Sequence, residues 1–363
     1  MTFTVSEPLE KVRAFLTEQA LDGVLLRTRR NFSWVTGGRD NHIELATELG
    51  VADLLIFRDI QYCVTTKMES LRLYEEELEG LGYEFVTPEW YEGTEGAILQ
   101  LCKGKRVGSD VPFAHFPHVE QELAPLRYSL STGEIDRYRW LSQKAARAVE
   151  ATCRDIEPGW TEHQIAASLA ARVLQDGIQP TVLLVATDDR IFKYRHPIPT
   201  DKRLQSYAML VLCAEKWGLI SNVTRFVHFG TLPQELEENK WKLAQIDAAM
   251  NAATRPGVPI KDVFQTGLDT YAKVGHGDDW RYLHQGGPTG YKAREFFATP
   301  EVSGNVELNQ AFAWNPAIRG IKSEDTLLVG ERENEFLTHT GDWVYMEVEE
   351  NGVTYLRPDI LIR

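Results

Sequence analysis

Apolar and polar positions along this chain keep two different rhythms. Over the first 130 residues, helical spacings alternate with short apolar runs. Leu9, Val12 and Leu16 recur at helical intervals over residues 8–19, and Asp22-Gly23 stops that helix before a strand at Val24-Leu25-Leu26. Further strands are predicted over 51–57, 83–86 and 106–110. Helices are predicted over 68–79, with Leu71, Tyr74 and Leu78 on one face, and over 97–102. This alternation implies an α/β domain with a mixed or parallel sheet, assigned to residues 1–130.

The remainder, 131–363, reads as a second domain in which the helices are longer. One is predicted over 134–156 and closed by Pro158-Gly159; another is opened by Thr161 as N-cap and ends at Asp176-Gly177. The same order of helix, Pro-Gly, helix and Gly returns over 240–275, a weak internal repeat. Strand signals follow each copy, at 181–185 and at 311–314. Between the copies lies a hairpin: an apolar run at 208–212, a turn at Gly218, and a second strand through 223–227.

Composition narrows the classes of function. Hydrophobic residues at 43% and charged residues at 25% are those of a globular protein, and 363 residues suffice for two cores. A net charge of -14 argues against nucleic-acid or anionic-membrane partners, which are bound by clustered Lys and Arg. The N-terminal MTFTVSEPLEKV has neither the basic start nor the apolar core of a signal peptide, so a cytoplasmic protein is expected. Cys63, Cys102, Cys153 and Cys213 form no C-x-x-C pair, which indicates neither a disulfide framework nor a structural zinc site.

The hairpin carries a family resemblance. Ala214, Gly218, Ser221, Thr224 and Arg225 match the pattern D-x-G-A-x-x-x-G-Y-x-S-D-x-T-R of the pita-bread hydrolases, the family of methionine aminopeptidase, aminopeptidase P, prolidase and creatinase. Glu324-Asp325-Thr326-Leu327-Leu328-Val329 resembles that family's closing E-D-T-x-x-V strand. The resemblance implies an α/β N-terminal domain plus an α+β pita-bread C-terminal domain built from two pseudo-symmetric halves. Asn31 to Gly38 resembles an N-x-x-Y-L-T-G segment of the N-terminal domain. The resemblance further implies a homodimer in which the following loop, with Arg39 and His42, covers the partner's site; a solvated polar loop is the alternative.

The chemistry implied by the family departs at its metal ligands. Where the peptidases have two aspartates this chain has Val211 and Asn222, and where they have a ligating histidine it has Gly287 or Pro288. Asn315 replaces one glutamate and only Glu324 remains, so no metal and no other cofactor is expected. Polar groups survive around the vacated place. His196 and His284 match family histidines near the substrate, and Arg294-Glu295 stands where the family has His-Glu. His196, able to take and return a proton near neutral pH, is the expected acid–base group, with His284 and Glu324 as catalytic partners. Asn222, Arg294, Glu295 and Asn315 are expected to contact substrate; Arg225 and the buried Cys213 are expected to be structural. Without a metal, Glu324 must rise in pKa or pair with a cation.

The resulting expectation is a metal-independent, creatinase-like hydrolase that cleaves a C–N bond in a small polar molecule. A catalytically inactive pita-bread module that binds a partner or peptide is the alternative, and an Xaa-Pro peptidase is less expected with four ligands gone.

Overall fold

A computed structural model describes residues 6–363. The chain divides into two compact units, one running to Glu134 and including Trp217–Leu219, the other comprising Ile135–Lys216 and Ile220–Arg363.

The first unit contains helix α1 (Ser6–Glu18), strand β1 (Gly23–Thr28), α2 (Arg29–Val35), β2 (Leu49–Phe57), β3 (Gln61–Thr65), α3 (Lys67–Arg72), β4 (Glu84–Val86), α4 (Glu95–Leu101), β5 (Val107–Ser109) and α5 (Glu120–Leu123). Its mixed sheet has the order β4-β3-β2-β1-β5, with β1 antiparallel to β2 and parallel to β5. Two elements depart from the sequence pattern. The polar stretch after β1 is a helix, α2, because Asn31, Phe32, Ser33, Trp34 and Val35 are all buried and the Thr28 hydroxyl caps Asn31 N. The helix expected over 68–79 changes form at its middle, passing from α3 into a π-helical stretch at Leu73–Leu78. Leu73 and Leu78, five residues apart, are therefore the buried pair, while Leu71 and Tyr74 face outward.

The loop that follows α2 is pinned. Buried Asp110 accepts from Arg27 N, Thr28 N, Thr28 Oγ1 and Asn31 Nδ2, which fixes the junction of β1 and α2. Ser33 Oγ donates to the Arg39 carbonyl at 2.7 Å, and the Asp40 carboxylate accepts from His42 N at 2.9 Å while pairing with the His42 ring.

The long helix α6 (Thr132–Asp155) leads into the second unit, with α7 (Glu162–Leu174), β6 (Gln179–Thr187), α8 (Asp189–Lys193), β7 (Tyr207–Lys216), β8 (Leu219–His228), α9 (Gln234–Ala253) and α10 (Ile260–Lys273). Thr161 and Gln164 form a reciprocal capping box at the start of α7. After α10 come β9 (Gly286–Thr289), β10 (Ala311–Trp314), β11 (Ala317–Ile318), β12 (Ile321–Lys322), β13 (Leu327–Leu328), β14 (Glu335–Phe336), β15 (Tyr345–Glu350), β16 (Val353–Pro358) and β17 (Leu361–Ile362). Two four-stranded sheets result, β17-β8-β7-β6 and β14-β13-β10-β9, with β11-β12 and β15-β16 as separate hairpins. The β7-β8 turn, Trp217-Gly218, has φ of 58° and 76°, the doubly left-handed geometry of a two-residue hairpin turn.

The two sheets meet where β8 runs beside residues 324–326. Thr224 N donates to the Glu324 carbonyl at 3.1 Å, and Asn222 N to Thr326 Oγ1 at 2.8 Å. Extended backbone alternates its side chains, so consecutive pairs across this seam serve opposite faces. Thr224 bonds Glu324 on one face; on the other, Arg225 Nη1 lies 2.9 Å from Asp325 Oδ1. Asp325 also meets Arg357 Nη2 at 2.8 Å and His339 Nε2 at 3.3 Å, and Arg357 Nη2 continues to Asp247 at 2.6 Å. Burial pushes the Asp325 carboxyl up, but Arg225, His339 and Arg357 outweigh it and hold the group well below the usual carboxylate range. Substitution of Arg357 by Met leaves two buried aspartates short of a counter-charge, and denaturant unfolding should show a loss of about 3–5 kcal/mol.

Candidate active site

Glu324 is the centre of the cluster on the first face of the seam. It is buried, and both oxygens are occupied: Oε1 accepts from Arg294 Nη2 at 2.8 Å, and Oε2 accepts from Lys322 Nζ and Thr224 Oγ1, each at 2.7 Å. Each partner comes from a different element. Thr224 lies on β8, Lys322 ends β12, and Arg294 follows β9. Arg294 Nη2 also donates to Asn315 Oδ1 at 2.8 Å, just after β10. The same Asn315 amide donates through Nδ2 to the His284 carbonyl at 2.8 Å. A glutamate at 315 has no donor to offer that carbonyl, so an amide suits the position where a carboxylate does not.

Two imidazoles complete the cluster. His196, in the exposed loop after α8, has its ring 5.8 Å from that of half-buried His284, which packs at 4.3 Å against exposed Phe297. Burial and then Arg294 push the His284 pKa down to about 4, with Glu324 opposing. His196 is lowered too, by burial and by Lys322, again against Glu324. Burial raises the Glu324 carboxyl, yet Lys322 and Arg294 overcome it and bring it to about 2. At neutral pH the cluster thus holds an ionised carboxylate, two fixed cations and two neutral imidazoles. Cys213 is pushed up to about 12, chiefly by burial, which makes it no nucleophile.

The expected site residues fare differently. His196, His284, Glu324, Arg294 and Asn315 come together. Of the two outcomes open to Glu324, pairing with cations is the one realised, and its saturation makes it a positioning group. Asn222 is fully buried, bound through Nδ2 to Thr289 Oγ1 at 3.0 Å. Glu295 turns back on its own loop, accepting from Tyr291 N at 3.1 Å. Arg39 and His42 belong to the first unit. Lys322 was missed by sequence reasoning, although its position two residues before Glu324, on the approach to the same seam, was the available signal.

Whether a family metal pair suits these residues follows from the donor set. Val211 packs in the apolar core with Leu184, Met209 and Phe226. Asn222 and Asn315 are neutral amides. Gly287 has φ of 150°, and a Cβ there would come within 2.6 Å of the Phe296 carbonyl oxygen, so no side chain of any kind is accommodated. Pro288, the other position that matches the family's histidine, has no side-chain donor atom. The remaining carboxylate is already neutralised by two cations. Among the described residues no three His, Cys, Asp or Glu side chains are grouped to hold a metal ion. These residues do not fit a metal pair.

The low His284 pKa sets a pH dependence. The unfolded chain, titrating near 6.5, binds more protons than the folded one, so this contribution is complete above 6.5 and is lost as pH falls toward about 4. Imidazole resonances followed by NMR should show His284 neutral at pH 5.5, and folding stability should decline from pH 6.5 to 4; a His284 titration near 6.5 contradicts the assigned environment.

The comparisons with known proteins agree with this architecture. Residues 136–331 match the metallopeptidase family M24. An uncharacterized peptidase of Staphylococcus aureus is 23% identical over 352 residues, covering 91% of this chain and 98% of that protein. Among solved structures, the prolidase of Pyrococcus horikoshii superposes with a TM-score of 0.79 at 18% identity, covering 92% of this chain and 99% of that one. The Xaa-Pro dipeptidase of Bacillus anthracis gives 0.78 at 18% identity, covering 99% and 100%. With its two sheets, its T-R and E-D-T segments paired across the seam, and this match over more than half its length, the chain belongs to metallopeptidase family M24.

Proposed function

We propose that this chain hydrolyses a C–N bond without a metal pair, a member of its family closer in chemistry to creatinase than to the dipeptidases. The observation that carries the reading is two neutral imidazoles set beside a carboxylate locked between fixed cations. His196, exposed and uncharged at neutral pH, takes a proton from a water that attacks the carbon of the scissile bond. The C–N bond then breaks, and the same imidazole returns the proton to the departing nitrogen. His284 is the less basic of the two, and its stacking on Phe297 suits it to orient the substrate. The Lys322 ammonium, which donates one hydrogen bond to Glu324, has donors left for the oxygen on which charge develops.

Exposed Ile198, Tyr282 and Phe297 stand within two residues of the histidines or in contact with them, which supports a substrate with an apolar portion as well as polar ends. A second reading, an inactive module that binds a partner or peptide, is favoured by the saturation of Glu324, both of whose oxygens are occupied. Assembly as a two-fold homodimer, with each first unit covering its partner's site, belongs to the same proposal and is supported by the pinned loop at Arg39 and His42.

Turnover of a panel of amides, dipeptides and amidines, creatine and Xaa-Pro dipeptides included, should be unaffected by chelators. The His196→Ala variant should lose about two to four orders of magnitude. Failure of every substrate transfers support to the binding module, and inactivation by chelators sinks the metal-free mechanism. For assembly, inactive Arg39→Ala chains mixed with inactive His196→Ala chains should regain activity in hybrid dimers; a strictly monomeric protein overturns that arrangement.

A further inference from the structure

The mismatch between family and donor set is more than a loss of ligands. Two cations, Arg294 and Lys322, bracket the one carboxylate that remains, at 2.8 and 2.7 Å. Both side chains are nearly buried, as is that of Glu324, so their charges act through little water. Arg294 joins Glu324 to Asn315, the two positions at which the family's pattern has its glutamates, through a single nitrogen, Nη2. A guanidinium thus links these two positions. The amide at 315 accepts that nitrogen and donates to the His284 carbonyl, an arrangement that suits a guanidinium neighbour and not an ion.

We infer that Arg294 and Lys322 are the polypeptide's own replacement for the metal pair: they hold Glu324 ionised, and their fixed charge excludes divalent cations from the site. The exclusion is active. Restoring acidic ligands alone then fails to restore metal binding, because an incoming ion meets two positive charges already bound to the carboxylate it needs. Removing those charges in the same background opens the site. Nearby Glu295 accepts from Tyr291 N in its own loop at 3.1 Å.

The test is a cobalt(II) titration, read by calorimetry and by visible absorption, and it involves no turnover, so it stands or falls separately from the hydrolase reading. Four full-length proteins are compared: wild type, Asn222→Asp/Asn315→Glu, Arg294→Met/Lys322→Met, and the combination of all four changes. Gly287 is left alone because no side chain fits there. Saturable binding is expected only in the combined variant, with affinity at least a hundredfold above that of Asn222→Asp/Asn315→Glu. Far-UV circular dichroism and thermal melting establish that each is folded. Should the combined variant not fold, Lys322→Met added to the two-acid background decides, with a gain of tenfold or more expected. The inference is overturned if the two acids alone bind cobalt as tightly as the combined variant, or if removing the cations from the two-acid background brings no binding.

Discussion

A carboxylate buried between an arginine and a lysine is the constraint on which the candidate site depends. Taking Glu324 out of water is costly, and an ion pair deep in a protein is stable only where geometry and further hydrogen bonds complete it. Here they do: Arg294, Lys322 and Thr224 together occupy both oxygens. The requirement reaches outward. Arg294 must be held by Asn315, Asn315 holds the carbonyl of His284, and burial, joined by Lys322 at His196 and by Arg294 and Lys322 at His284, biases both imidazoles toward their neutral forms. One charge in the interior therefore ties together Thr224, Arg294 and Lys322 directly and Asn315 through Arg294.

Behind this cluster stands a second one of opposite role. Residues 224–225 and 324–325 form two pairs, and the alternation of extended backbone sends one pair to each side of the seam. The pair Arg225 and Asp325 continues into Arg357, Asp247 and His339, buried charges that satisfy one another. The Glu324 cluster and the network of Arg225 and Asp325 stand back to back on the same two segments. The T-R and E-D-T motifs are thus as much a statement about support as about chemistry.

Much of the architecture was legible in the sequence because its signals are local. The hairpin with its turn at Gly218, the capping box at Thr161 and the alternating first unit all follow from periodicity and breakers. The failures are also physical. The outward Leu71 and Tyr74 belong to a stretch whose winding widens, and an α-helical wheel misplaces residues once the period changes. Helix α2 was hidden by polar residues whose partners, Asp110 above all, lie some eighty positions away. At the site, departures from the family's ligand pattern could be counted, whereas the part of Lys322 could not, since an isolated lysine near a surface-like segment looks the same whether it is solvated or locked to a buried acid.

The backbone at Gly287 sets the order in which a metal site is built into this chain. Side chains at 211, 222 or 315 are exchanged by single substitutions, but at 287 the main chain has φ of 150° and a Cβ would lie 2.6 Å from the Phe296 carbonyl oxygen. An imidazole at that position requires the local main chain to be rebuilt first, so point changes elsewhere do not by themselves complete a ligand set that includes it.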